Sequence, residues 1–225
     1  MWTDNTGDHE IPVHREAYLG SEAEAGTVGI GDRIRRANGE SATVGIVMDH
    51  HQFGPVLTTA GHLFLDGFTD GERVFLTTGG VTYPGRVVSR RLATSLDYAL
   101  IQLDEPLQHR NWYLPQYRLR QLFAPSQVDR GTALFILTAD RLPRNVTCKA
   151  VGARGMIDGR PMEDLILTEW RTRPGDSGAC LVDAQQRAWG LLVGRIDTAT
   201  FSLSAFAPAH LAVFEETSTF ITREE

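Results

Sequence analysis

No stretch of this sequence is long and apolar enough to cross a membrane as a helix. The first residues, MWTDNTGDHEIPVHREAYLG, lack the basic start and apolar run of a secretory signal. Cytoplasmic residence with no membrane partner is the resulting expectation. Cysteine is scarce: Cys148 and Cys180 each lie in an apolar stretch and read as buried free thiols, with a single disulfide between them as the other reading. A basic surplus is also missing, and the formal charge of -6 argues against a nucleic-acid partner. Of the seven histidines, His9, His14, His109 and His210 lack ligand partners at useful spacing. His50 and His51 are adjacent and on a strand would face opposite sides, so no metal site is expected. With no phosphate-cradling glycine loop and no dinucleotide fingerprint, no cofactor is implied.

What is present is a succession of short Val-, Ile-, Leu- and Thr-rich segments punctuated by Gly, Asp and Asn. The first series runs DRIRRA, ATVGIVMD, GPVLTTA, RVFLTT, VTYPGRVVS and DYALIQL; the second runs TALFILT, NVTCKAV, DLILTEW, ACLVD, AWGLLVG and TFSLSAFA. This spacing predicts an all-β sandwich or barrel. Residues 104 to 131, richer in Pro, Gln and Arg, read as the connection between two halves. The resulting division is an N-terminal arm over 1–26, a first half over 27–115 and a second over 116–225. Apolar residues at helical spacing after Pro208 predict a C-terminal helix.

One stretch fits neither a strand nor a helix. In TRPGDSGACLV, Gly175 and Gly178 flank Asp176-Ser177, and Pro174 stiffens the approach, so the segment reads as a shaped loop presenting Ser177. A serine hydroxyl is a weak nucleophile; a reactive one needs a base within hydrogen-bond reach and a third group to orient that base. His62, in VLTTAGHLF, stands where an apolar strand runs out into small residues. Asp97 opens DYALIQL, directly before a buried strand. Singly these are an ordinary surface histidine, turn aspartate and loop serine. Together, TTAGH, LDYALIQL and GDSG occur in the order His, Asp, Ser, and here the chain resembles the chymotrypsin-like serine peptidases over about residues 27 to 215.

That resemblance implies two six-stranded antiparallel β-barrels with His62 and Asp97 from the first, Ser177 from the second, and a peptide or protein substrate. It assigns the oxyanion hole to residues 175–177, through the N–H groups of Gly175 and Ser177 on either side of Asp176. The implied reaction is acyl transfer, with His62 taking the Ser177 proton and Asp97 orienting His62. Departures are visible: Leu63 stands where secreted members carry a cysteine, and no clear activation site precedes the first barrel. The pattern is closer to disulfide-poor bacterial and intracellular members. Asp176 then needs a partner other than a released N-terminus, and control by a regulatory protein or by oligomerisation replaces zymogen cleavage.

By the same likeness Arg171 falls at the base of the primary specificity pocket beside Thr172, and Val193, Gly194 and Arg195 form the wall along which substrate pairs as an added strand. A buried Arg171, or Arg195, implies cleavage after an acidic residue; loops of different length would instead leave both arginines facing solvent. Two other functional readings share these features: a catalytically silent scaffold that keeps the barrels, and an esterase using the same three residues.

Overall fold

A computed structural model describes residues 26–66, 69, 71–111, 113, 118–216 and 218–221 of the chain. The expected N-terminal arm lies outside them apart from Gly26. Six chain segments build the first barrel: β2 (Arg33–Arg36), a run made of β3 (Ser41–Thr43) and β4 (Val47–His50), β5 (Gly54–Thr59), β6 (Arg73–Thr78), β7 (Val81–Ala93) and β8 (Leu96–Leu103). Pairing runs β4-β5-β8-β7-β6-β2-β3. Closure comes from the bend between β3 and β4. Residues 41–43 pair with β2, while past the corner Gly45 donates to the Thr58 carbonyl and Thr58 to that of Ile46. Gly45 occupies this bend because a Cβ there would stand 2.5 Å from the Gly178 carbonyl oxygen of the second barrel.

The second barrel is a closed ring of β11 (Ala133–Leu137), β12 (Arg144–Ile157), β13 (Arg160–Glu169), β16 (Ser202–Pro208), β15 (Arg187–Asp197) and β14 (Cys180–Asp183), with β15 and β16 also paired. Two short parallel pairings flank the connection between the halves: β1 (Thr27–Gly29) with β9 (Gln108–Arg110), and β10 (Gln121–Leu122) with β15. The helix α1 (Ala209–Glu215) follows Pro208, as its spacing predicts. Beyond it β17 (Thr219–Phe220) pairs with β4, so residues 219–220 belong with the first barrel and not with the second half as expected.

Alternation within each strand distributes apolar side chains between barrel interiors and the seam. In β8, Ala99 and Ile101 join the first barrel's core with Ile34, Val47, Leu57 and Leu76. Tyr98 and Leu100 turn instead into a cluster shared by both barrels with Ile46, Met48, Cys180, Val182, Leu191 and the α1 residues Ala209, Ala212 and Val213. Trp189 and Phe206 fill the second barrel with Ile136, Ile166 and Leu181. Burying apolar surface from both halves in one seam holds the barrels in a fixed relation, and the cleft between them is correspondingly defined. Cys148 and Cys180 are both buried and unpaired.

A polar anchor secures α1. Glu216, at its C-terminal end and 7% exposed, accepts from Tyr98 Oη (2.7 Å) and Ser89 Oγ (3.0 Å), and lies 3.3 Å from His50 Nε2. The His50 ring stacks on that of His51, centroids 4.5 Å apart. This differs from the opposite facing expected of adjacent strand residues: β4 ends at His50 and His51 already lies in the turn.

Candidate active site

His62 is delivered by a single 3-10 turn, Gly61–Phe64, directly after β5. The turn lies against β8 because residue 61 is glycine; a Cβ there would stand 2.7 Å from the Tyr98 carbonyl oxygen. The His62 backbone N–H donates to Asp97 Oδ1 at 2.9 Å, and ring Nδ1 lies 3.1 Å from Asp97 Oδ2. An ionised carboxylate only accepts, so Nδ1 carries the ring proton and Nε2 presents its lone pair. Nε2 faces Ser177 Oγ at 3.0 Å. The three side chains expected to meet are therefore brought together in one hydrogen-bonded line.

Asp97 has no exposed side-chain surface. Burial by itself would raise its pKa, but the hydrogen bond and charge of His62 and the charge of Arg160 outweigh it and hold the carboxyl below its ordinary value. Arg160 is a participant that the sequence reading missed. Its Nη2 donates to Asp97 Oδ2 from the second barrel. The available signal was Asp158-Gly159 between GARGMI and RPMEDL: both residues have positive φ, 48° and 75°, the form of a two-residue hairpin turn. Strands β12 and β13 consequently run several residues beyond the segments NVTCKAV and DLILTEW, and Arg160 opens the returning strand.

The Ser177 loop is fastened to both barrels. Asp176 N–H donates to the Arg173 carbonyl (3.0 Å), closing a turn with Gly175 at φ +90°. Thr43 donates its N–H to the Ser177 carbonyl and its hydroxyl to that of Gly175, both at 2.8 Å. Gly178 (φ +87°) passes so close to the first barrel that a Cβ would stand 2.5 Å from the Thr43 oxygen. Among the described residues the N–H groups of Gly175 and Ser177 have no protein acceptor, whereas that of Asp176 is used by the turn. Asp176, between the two expected donors, serves as a support. Its carboxylate accepts from Arg173 N–H (2.7 Å) and pairs with Arg144 Nη1 of β12. Arg144 is the partner that the sequence alone could not identify; it also binds Asp140 and the Arg171 carbonyl.

The expected specificity residues are only partly assembled. Thr172 Oγ1 lies 3.2 Å from the hydroxyl of Ser204, which is fully buried. Val193 is buried, and Gly194 passes Ile157 so closely that a Cβ would stand 2.7 Å from its Cγ2. From Val193 onward β15 pairs on one side with β16; its other edge has no strand partner among the described residues. Arg171, however, is exposed, and Arg195 is 48% exposed, bound to Asp197 at 3.0 Å and stacked over Trp170. The premise of a buried arginine at the pocket base is therefore overturned; both guanidiniums lie toward solvent, as loops of different length would place them.

No protein-family model matches this sequence, and no characterised protein sequence matches it. Solved structures do resemble the fold. Thermobifida fusca Protease A is 15% identical, with a TM-score of 0.68 over 88% of this chain and 100% of that one. Cellulomonas bogoriensis chymotrypsin is 20% identical, with a TM-score of 0.66 over 88% and 100%. A glutamic acid-specific serine protease, whose substrate binding uses a histidine triad, is 16% identical with a TM-score of 0.67 over 86% and 100%. Double-barrel architecture, the seam between the barrels and these likenesses lead to one conclusion: the chain has the chymotrypsin-like fold.

Proposed function

We propose that the chain is a serine endopeptidase that hydrolyses peptide bonds through an acyl-enzyme intermediate. The observation that carries this reading is the line of hydrogen bonds from buried Asp97 through His62 to Ser177 Oγ. It ends beside two backbone amides with no protein acceptor among the described residues. Ser177 Oγ attacks the substrate carbonyl as its proton passes to His62 Nε2. Charge developing on the carbonyl oxygen is met by the N–H groups of Gly175 and Ser177; such donors are worth roughly 3 kcal/mol each in comparable sites. Collapse expels the amine, which takes the proton from His62. Water then enters by the same base and releases the acid and free Ser177. Asp97 keeps the imidazole in the working tautomer throughout.

The edge of β15 from Val193 to Arg195, unpaired among the described residues, supports an extended substrate that adds as a strand, which favours peptides over small esters. Thr172, Ser204, Val193 and Gly194 form the primary pocket in this reading. Arg171 and Arg195 lie toward solvent, so acidic side chains before the scissile bond gain only a screened attraction, about 1 kcal/mol or roughly fivefold.

The test is labelling by a fluorophosphonate together with cleavage profiling of a peptide library. Wild-type protein should label at Ser177 and cleave, and Ser177→Ala should do neither. Cleavage that survives in Ser177→Ala removes the assignment. Absence of labelling in a folded wild type supports a scaffold instead.

A further inference from the structure

Asp97 is bound from both sides of the cleft: His62 reaches it from the first barrel, and Arg160 from the second. The strand that carries Arg160 is bolted to the first barrel beside this point. Glu163 N–H donates to the Thr94 carbonyl at 2.6 Å, and Ser95 Oγ donates to Asp164 Oδ2 at 2.8 Å, both across the turn between β7 and β8. Arg160 is only 22% exposed, and its Nε is buried without a partner among the described residues. A guanidinium is not placed this way by solvation, because one of its donors is left unsatisfied. Asp97 is what it is placed for.

We propose that Arg160 is a positioning residue that clamps Asp97 from the second barrel and sets the pH range in which His62 acts as a base. The proposal rests on the peptidase reading for its consequence in catalysis, though not for its electrostatics. Asp97 Oδ2 is shared between the imidazole and the guanidinium. Part of the negative charge that would stabilise an imidazolium is therefore already neutralised by the guanidinium.

The other charged groups nearby are accounted for. Arg36 and Arg90 donate to the carbonyls of Leu63 and Phe64, at the far end of the turn that carries His62. Leu92, opposite Asp97 on β7, is apolar. Arg91 and Tyr98 are engaged with Glu216, in the network that also includes His50. Glu163 faces Arg154 at 3.4 Å, and Asp164 is held by Ser95.

The experiment follows the His62 ring by nitrogen-15 NMR across pH in wild type, Arg160→Met, Arg160→Lys and Ser95→Ala, with kcat/KM profiled in parallel. Arg160→Met should raise the His62 midpoint by ~0.5–1 pH unit and move the acid limb of kcat/KM upward by the same amount, a loss of ~3–10-fold below the midpoint. Arg160→Lys should restore most of the shift. Ser95→Ala loosens the same bridge without touching the charge and should leave the midpoint in place. An unchanged midpoint in folded Arg160→Met, or the same shift in Ser95→Ala, overturns the proposal. If Arg160→Met does not fold, Arg160→Gln takes its place, and an unchanged His62 midpoint in that variant overturns the proposal. The NMR midpoint needs no turnover, so an inactive wild type would remove the peptidase reading while leaving the role of Arg160 decided.

Discussion

Arg144 of β12 holds the carboxylate of Asp176, the residue immediately before Ser177, and both side chains are largely buried, 15% and 9% exposed. The same guanidinium binds the Arg171 carbonyl, so one side chain pins both ends of the turn that shapes the Ser177 loop. Arg144→Met leaves Asp176 buried without its cation. On the peptidase reading the expected result is a fall in kcat/KM of roughly 10²–10³-fold, because the Gly175 and Ser177 amides proposed to bind the oxyanion lose their aim, together with a stability loss of ~3 kcal/mol. Steady-state kinetics and urea denaturation measure the two separately; a variant with wild-type kcat/KM would show that the loop holds its shape without this pair.

Asp97→Asn preserves the shape of the residue but favours the wrong imidazole tautomer, and a drop in kcat of ~10⁴-fold is expected with the fold intact. In the wild type the Asp97 pKa is held low, so its contribution to stability is present above the ordinary carboxylate value of 3.8 and is lost only as pH falls below it. Acid titration monitored by tryptophan fluorescence should place this component below pH 3.8. A loss centred well above that pH would contradict the assignment.

Asp32 has the opposite sign. It is 2% exposed and bound by Gly29 N–H and by Arg141 from the second barrel; burial outweighs these partners and pushes its pKa up to about 6. Between about pH 4 and 6 the folded state keeps a proton that the unfolded state has lost, so stability declines as pH rises across that window, by up to ~3 kcal/mol. Urea denaturation at pH 4.5 and 7 should show this decline in wild type. In Asp32→Asn the difference should be absent, and an equal slope in both would exclude Asp32 as its source.

Gly178→Ala places a methyl 2.5 Å from the Thr43 oxygen and 2.8 Å from the Ala60 nitrogen, both backbone atoms, at φ +87°. A loss of ~3 kcal/mol or more and loss of activity are expected. Gly54→Ala, at φ +68° but facing open space, should cost only ~1 kcal/mol. Thermal melts of the pair separate backbone strain from the collision, and comparable losses would show that the seam between the barrels yields.

What could be read from residue order was whatever depends on local pattern. The apolar runs in DYALIQL and GPVLTTA mark strands, and Pro208 precedes α1. Gly175 and Gly178 mark a loop that no other residue type would follow so cheaply. Asp158-Gly159 marks a hairpin just as clearly, yet the glycines and arginines of GARG broke the apolar alternation and hid the strands on either side. Arg160 went unnoticed with them. Arg171 failed for another reason: its number placed it at a pocket base, but loop length decides which way a side chain faces, and it is exposed.

By itself the sequence determined the all-β class, the two series of strands, and His62, Asp97 and Ser177 as reactive residue types at strand ends and in a glycine-shaped loop. Periodicity and turn chemistry act over a few residues and are written locally. Only the tertiary structure decided that Arg144 steadies Asp176, that Arg160 shares Asp97 with His62, and that Arg195 turns to Asp197. Each of those outcomes depends on where separate strands of a closed barrel come to lie. Burial of one apolar seam between two barrels sets that placement, and no short stretch of chain encodes it.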